Sequence, residues 1–263
     1  DLVDAVITGP AEKVLERLVA SPACNPEMSL DDVLAAYSGL GFHKFEVFTS
    51  WAKSAFDIDA DPKFYLDKGA RYGMQFTSFH LPPIDDDQAA SIDRAVEAAR
   101  FAEAVGARIV LYKATSRPNY IEAAARFLDA IEELDVVPVV QNHFGTPVTT
   151  LDDVKEVHAG IDDARMQALL EVGHFHSAGV HWRAAVEYLG DRIALVHIKD
   201  QVGRQSVPYG TGEVDLPGVF SAMHDRGYTG DYVVEMEVED REHTPAYLDE
   251  AVDYIVAHWP PSD

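Results

Sequence analysis

The chain has 263 residues, of which 47% are hydrophobic and 25% are charged, and its formal net charge at pH 7 is −24. A charge of this sign repels phosphate backbones and anionic lipid, which argues against nucleic acid and membrane surfaces as partners. Cys24 is the single cysteine, so no internal disulfide can form. With no basic-then-apolar leader at Asp1, this predicts a reducing, cytoplasmic location.

Residues 1–16 are predicted to form an N-terminal arm, and residues 17–21 (RLVAS) the first strand. Ser29 begins a helix, because Ser29 and Asp32 have the spacing of a capping box. Seven further apolar runs have the length and composition of strands that are buried on both faces. They are KFEVF (44–48), QFTSF (75–79), RIVLY (108–112), VVPVVQ (136–141), MQALLE (166–171), IALVHI (193–198) and YVVEM (232–236).

Amphipathic stretches separate these runs at intervals of about 30 residues, the length of one strand plus one crossover helix. Thr150 to Asp153 forms a second capping box. A glycine before six of the runs is expected to end the preceding helix in a left-handed conformation. These are Gly41, Gly73, Gly106, Gly160, Gly190 and Gly227.

Eight strands, each followed by a helix and with no Pro/Ser/Gly-rich linker, predict one domain over residues 1–263: a single (β/α)8 TIM barrel. The structural alternative is a doubly wound open sheet. Such a sheet usually carries a glycine-rich phosphate turn after its first strand, and SPACNPE (21–27) is not one.

In an α/β barrel the residues just beyond the strands share one face, where the chemistry is carried. A lone polar residue there is more often a loop or helix-cap group, but all seven later strands end in an ionisable or strongly hydrogen-bonding side chain. This coincidence indicates a functional site. The residues are Glu46, His80, Lys113, Gln141 with His143, Glu171 with His174, His197 with Lys199 and Asp200, and Glu235 with Glu237.

The last four strands present a set of oxygen and imidazole donors that suits one divalent metal ion such as Mn, Mg, Co or Zn. Two carboxylates would balance the charge of the ion. A turn at Gly173 would let His174 face the same pocket. The predicted metal ligands are Gln141, Glu171, His197 and Glu235.

Several segments resemble the xylose isomerase-like TIM-barrel superfamily, and within it the sugar phosphate isomerase/epimerase group. The resemblance covers roughly residues 41–237 and is carried by GFHKFEVF (41–48), EVGHFHSAGVHW (171–182), LGDRIALVHIKD (189–200) and PYGTGEVDLPGVFSAMHDRGYTGDYVVEME (208–237). It implies one divalent metal bound by a Glu, an acid, a His and a Glu at the ends of strands five to eight. It also matches a strand-two Glu with Glu46 and a strand-three His with His80.

Two positions depart from that pattern. Glu171 stands where the group usually has Asp, and Gln141 stands where it has Glu. In the sugar 3-epimerases of this group the Glu residues of strands five and eight bind the metal and act as opposed acid and base. An amide cannot accept that proton, so a two-base epimerase requires His143 or Lys113 as the second acid/base group. Without such a group, isomerisation or loss of a β-hydroxyl is as well supported as epimerisation.

The expected reaction is proton abstraction beside a carbonyl of a small carbohydrate or keto-sugar, through an enediolate, by a metal-dependent isomerase or epimerase. Glu235, His174 and Lys113 are the predicted catalytic residues. The predicted substrate contacts are Glu46, His80, His143 and Lys199. The alternatives are a metal-dependent sugar dehydratase or lyase and a non-catalytic sugar-binding barrel. Phosphorylation of the substrate and assembly into a homo-oligomer stay open.

Overall fold

Eight parallel strands close into a barrel in which each strand pairs with its neighbours in chain order. The chain is described here by a computed structural model that covers residues 10–261. The ring closes through β1, which pairs with both β2 and β8. The predicted (β/α)8 TIM barrel is therefore confirmed, and an open sheet is excluded. The barrel strands are β1 (Leu18–Ala20), β2 (Lys44–Val47), β3 (Gln75–His80), β4 (Ile109–Tyr112), β5 (Val137–Gln141), β6 (Gln167–Glu171), β7 (Ile193–Ile198) and β8 (Tyr232–Val234). A short antiparallel hairpin of Gln201–Val202 and Gln205–Ser206 follows β7.

Helices surround the barrel and cover its outer face. Part of the predicted N-terminal arm, residues 1–9, lies outside the described residues, and the rest contains α1. No helix within residues 10–261 combines the length and the apolarity that a membrane crossing requires. The helices are α1 (Pro10–Leu15), α2 (Leu30–Gly39), α3 (Pro62–Tyr72), α4 (Gln88–Ala104), α5 (Arg117–Ala130), α6 (Leu151–Ile161), α7 (Val172–Ser177), α8 (Trp182–Leu189), α9 (Leu216–Asp225) and α10 (Thr244–His258).

The predicted helix boundaries hold with one exception. The capping box of Thr150 and Asp153 is present at the start of α6, and five of the six glycines have a positive φ. Gly160 does not end a helix, so that prediction is wrong. It lies inside α6, where a Cβ would come within 2.6 Å of the Ile121 side chain. Its role is to let α5 and α6 approach, and Asp162, with a φ of 45°, ends the helix instead.

The interior of the barrel is apolar in its middle and ionisable at one end. Successive side chains of a strand point to opposite faces, so residues two apart share the interior. The buried interior cluster consists of Val19, Leu111, Val139, Leu169, Leu195 and Val233. Two residues beyond each of these, in order, lie Ser21, Lys113, Gln141, Glu171, His197 and Glu235. The strand period thus delivers the predicted site residues to one end of the barrel.

Candidate active site

A cavity of about 460 Å³ opens at the carboxyl ends of the strands. Three predicted site residues, Glu46, Glu171 and His197, are not in its lining but are fully buried next to it. All the predicted site residues therefore lie at one end of the barrel. Those in the lining are His80, Lys113, Gln141, His143, His174, Lys199, Glu235 and Glu237.

His197 stands at the centre of a buried cluster of carboxylates. Its Nε2 lies 3.1 Å from Oε1 of Glu46, and its Nδ1 lies 3.2 Å from Oε2 of Glu171 and 3.3 Å from Oε1 of Glu235. Both ring nitrogens and Glu171 Oε2 nevertheless lack a hydrogen-bonding partner among residues 10–261. Donor atoms that lie this close to one another without hydrogen-bond geometry are suited to share a metal ion.

Two overlapping groups of donors have ligand atoms within 4.8 Å of one another. The first contains Glu46, His197 and Glu235, and the second contains Glu171, His174 and Glu235. These carboxylate and imidazole donors are suited to a divalent ion, and buried carboxylates require a positive charge nearby. The residues present therefore fit a divalent metal site. The sequence assigned Glu46 and His174 to substrate binding and catalysis, and the structure also places them within ligand distance.

Glu46 is held from several sides. Ser21 Oγ donates to its Oε2 and Ser78 Oγ to its Oε1, each at 3.1 Å, and His80 Nε2 lies 3.3 Å from Oε1. Burial alone would raise the pKa of Glu46, but the facing His197 and His80 hold it well below its usual range. Burial also lowers the pKa of His80 to about 4. Sequence reasoning missed both serines. The strand period could have found them, because Ser21 lies two residues after the interior residue Val19 and Ser78 lies two residues before His80.

Glu171 is positioned through its backbone and through one carboxylate oxygen. Asn142 bonds to it twice, with Nδ2 donating to the Glu171 carbonyl at 2.9 Å and Oδ1 accepting from its N–H at 3.0 Å. The N–H of Gly173 donates to Oε1 at 3.0 Å, which leaves Oε2 facing His197. Burial, and then Glu235, raise the pKa of Glu171. Sequence reasoning missed Asn142 because the residue after Gln141 is expected to point outward, and its hydrogen bonds to the backbone of Glu171 on the next strand depend on strand pairing.

Lys199 forms ion pairs with two carboxylates. Its Nζ lies 2.9 Å from Oε2 of Glu235 and 2.5 Å from Oε2 of Glu237. Burial would lower the pKa of Lys199, but Glu235 and Glu171 raise it above its usual value. Burial likewise opposes ionisation of Glu235, yet Lys199 and His197 hold its pKa well below the ordinary range. Lys199 thus keeps Glu235 ionised and fixed in place.

Histidines form one wall of the cavity. The rings of His143 and His174 lie 3.7 Å apart between centroids, at 36°. Burial, and then Lys199, lower the pKa of His174 to about 2, so His174 is a neutral imidazole that can donate and accept hydrogen bonds. Its position in the first turn of α7 results from the turn that the sequence predicted at Gly173.

An aromatic pair forms the rim of the cavity. Trp51 is 63% exposed, and its ring lies 5.9 Å from that of Phe48. The backbone of Trp51 has a φ of 71°, which is strained for a residue with a large side chain. Trp51 therefore lies at the entrance of the cavity.

The loop between β7 and α9 is organised by Asp200. Its Oδ2 accepts from the N–H groups of Gly210 and Gly212, each at 2.9 Å, and its Oδ1 accepts from those of Gln201 and Val214. Arg204 of this loop stacks over the ring of Phe144 at 4.5 Å. The backbone donors that would hold a phosphate in this part of a barrel are therefore already engaged by a side-chain carboxylate.

The fold and the site together define an α/β barrel with carboxylates and imidazoles clustered at its strand ends as a candidate metal centre. Residues 34–258 match the family described as the xylose isomerase-like TIM barrel, and the chain belongs to this family. The resemblance seen in the sequence is confirmed.

The relatives of the chain include sugar dehydratases and epimerases. It is 30% identical over 119 residues to an inosose dehydratase of Bacillus licheniformis, covering 38% of this chain and 39% of that protein. It is 28% identical over 107 residues to an L-ribulose-5-phosphate 3-epimerase of Salmonella paratyphi C, covering 40% of this chain and 31% of that protein. The matched segments thus span less than half the length of these curated relatives.

Among solved structures, the IolI protein with a bound zinc atom aligns with a TM-score of 0.77 and 15% identity, covering 94% of this chain and 100% of that chain. At this identity the likeness shows the fold.

Proposed function

We propose that this chain is a divalent-metal-dependent enzyme that removes the proton beside a carbonyl of a small carbohydrate or keto-sugar, and that it acts as an isomerase or epimerase through an enediolate. The observation that carries the proposal is that Glu171 Oε2 and Glu235 Oε1 lie 3.2 and 3.3 Å from Nδ1 of His197 without a hydrogen bond to it, next to the cavity. The sugar epimerases and dehydratases among its relatives support it. The site lies within one barrel, so the proposal is for a single-domain enzyme.

Glu171, His197 and Glu235 would hold the metal ion, with the side-chain oxygen of Gln141 as a fourth donor. When bound, such an ion supplies a Lewis acid that polarises a carbonyl and stabilises negative charge on neighbouring oxygens. The identity of the ion belongs to the proposal, because Mn, Mg, Co and Zn all accept this donor set.

Glu235 is assigned as the general base. It lines the cavity, and Lys199 holds its Oε2 at 2.9 Å so that it stays ionised and oriented. A carboxylate in this position can take a proton from a carbon that the cavity brings within contact. His174, steadied by the ring of His143, is placed to exchange hydrogen bonds with a substrate hydroxyl.

Gln141 limits the reactions that the site can complete once the proton has been removed. Epimerisation requires a second group that delivers a proton to the opposite face, and an amide cannot do so. A single base can return the proton to the neighbouring carbon, which is isomerisation. Elimination is the second candidate, because the proton from one carbon and the hydroxyl from the next leave as water. Lys113 would then donate a proton to the departing hydroxyl, and the inosose dehydratase relative favours this alternative.

Exchange with solvent deuterium tests the proposal. Protein reconstituted with Mn²⁺ would be incubated in D₂O with a panel of ketoses and inososes, and NMR would follow deuterium beside the carbonyl. Glu235→Gln is expected to reduce exchange by about a hundredfold or more. Glu97→Gln, on the exposed face of α4 where Glu97 pairs with Arg94, is the matched control and should retain the exchange.

Chelation should abolish exchange and Mn²⁺ should restore it. Undiminished exchange in the Glu235→Gln protein would refute the proposal. If the protein retains no metal after dialysis and gives no exchange, a non-catalytic sugar-binding barrel is favoured instead. The NMR spectra also separate a rearranged sugar from a dehydrated product.

A further inference from the structure

Lys113 is a cation without a counter-ion at the edge of the cavity. It follows β4 and points inward, as Ile109 and Leu111 do. Within residues 10–261, no hydrogen-bonding or ion-pairing partner contacts its Nζ. Lys199, the other lysine of the lining, is held by two carboxylates. Placing an ammonium group in a partly buried site costs free energy unless an anion compensates it.

Glu46 is the carboxylate whose charge reaches Lys113, but it does not form an ion pair with it. The oxygens of Glu46 accept hydrogen bonds from Ser21 and Ser78, and Nε2 of His197 lies 3.1 Å from Oε1. Lys113 is therefore left facing the cavity.

The neighbouring strand explains why Lys113 lacks a partner. Tyr112 of β4 pairs with Val140 of β5, so the next residues, Lys113 and Gln141, occupy adjacent positions at the mouth of the barrel. A glutamate at position 141 would lie where it could neutralise Lys113. The amide that is present leaves the ammonium group free. It also offers an N–H donor beside it, while its oxygen remains available elsewhere.

We propose that the substrate carries a carboxylate, which binds to the ammonium group of Lys113 and the side-chain amide of Gln141. This inference rests on the proposed function and narrows its substrate class to hydroxylated carbonyl acids. A paired ammonium and amide donor match the two oxygens of a carboxylate, and the single positive charge matches its single negative charge.

A phosphate fits the same surroundings less well. Phosphate groups in barrels bind to backbone N–H groups of the loops near the last strands. Here Asp200 accepts from the N–H groups of Gly210 and Gly212, and Arg204 stacks on Phe144. The carboxylate of Asp200 thus already occupies the anion position of that loop. Of the two described lysines that line the cavity, Lys113 is the one without an ion-pair partner.

Calorimetric titration of the Mn²⁺-loaded protein tests the inference with matched ligands. D-Glucuronate, D-glucose and D-glucose 6-phosphate share one scaffold, and quinate and myo-inositol supply a cyclic pair. We expect each carboxylate to bind about tenfold more tightly than its neutral counterpart. Lys113→Met should remove that preference, and Lys113→Arg should keep part of it. Lys53→Met, in an exposed position of the loop that carries Trp51, is the control and should bind like the unaltered protein.

Equal binding of acidic and neutral members, failure of either carboxylate to bind, or an unchanged preference in Lys113→Met would overturn the inference. A preference for D-glucose 6-phosphate over D-glucuronate would also overturn it, because the anion site would then suit a phosphate. The readout is binding rather than turnover, so it can be judged separately from the deuterium-exchange test. Unchanged binding of D-glucose and myo-inositol by Lys113→Met excludes misfolding as the cause of a lost preference.

Discussion

Replacing Lys199 by methionine tests whether the buried ion pairs around Glu235 hold the site together. Only 1% of the Lys199 side chain is exposed, against 6% for Glu235 and 38% for Glu237. Methionine fills a similar volume, so the substitution removes the charge and leaves the packing nearly intact. Breaking a buried pair by removing one partner costs about 3–5 kcal/mol. Because Glu237 can be rehydrated, we expect a loss near the lower end, about 3 kcal/mol.

Urea unfolding of the chelated protein measures this loss. Saturating Mn²⁺ should reduce it, because a bound cation would supply positive charge beside Glu235. Lys155→Met is the matched control: Lys155 is 45% exposed and pairs with Asp152 at 3.1 Å, so its loss should cost no more than about 0.5 kcal/mol. A loss below about 1 kcal/mol for Lys199→Met, the usual upper limit for a surface ion pair, would refute the reasoning.

Three further predictions concern the ion and the stability of the barrel. Gly173→Ala should weaken Mn²⁺ binding by about tenfold or more. The added Cβ would lie 2.9 Å from Cβ of Lys199 and 3.3 Å from Oε1 of Glu171, and would therefore displace both side chains. Unchanged Mn²⁺ affinity in a chelator competition would contradict this prediction. Gln141→Glu should tighten Mn²⁺ binding by about tenfold through added negative charge, and no change would show that this side chain does not reach the ion. Burial lowers the pKa of His158 to about 4, so the folded protein favours neutral His158, and this contribution to stability is complete above pH 6.5 and lost as the pH falls towards 4. This contribution amounts to at most about 3 kcal/mol. Between pH 7 and pH 4.5, the free energy of unfolding measured in urea should fall less for His158→Leu than for the unaltered protein. An equal fall in the two proteins would contradict the assignment.

The strand period explains why much of the site could be predicted from the sequence. Once Val139, Leu169 and Leu195 are recognised as interior residues, the residues two positions later must enter the same interior. Gln141 and Glu171 are such residues, and both lie where the period puts them. The prediction needs the alternation of side chains and the shared direction of the strands, and both are properties of the sequence pattern.

Long-range contacts could not be predicted in the same way. Lys199 could be taken for a solvated loop residue or a substrate contact, because its partner Glu237 is 38 positions away and only closure of the barrel brings the two together. Asn142 could be read only as an outward residue, although it fixes Glu171 on the next strand. Gly160 had the spacing of a helix stop, and its actual role depends on how closely α6 approaches Ile121.

The donors around His197 stand on barrel strands or directly after them, whereas Trp51 and Thr146 reach the cavity from loops. Loop insertions or substitutions can therefore change the shape of the entrance without moving the ring of ligands below it. A directed-evolution library confined to residues 49–57 and 144–149 should alter which molecules are accepted while preserving the underlying chemistry. This scaffold separates the evolution of selectivity from that of reactivity.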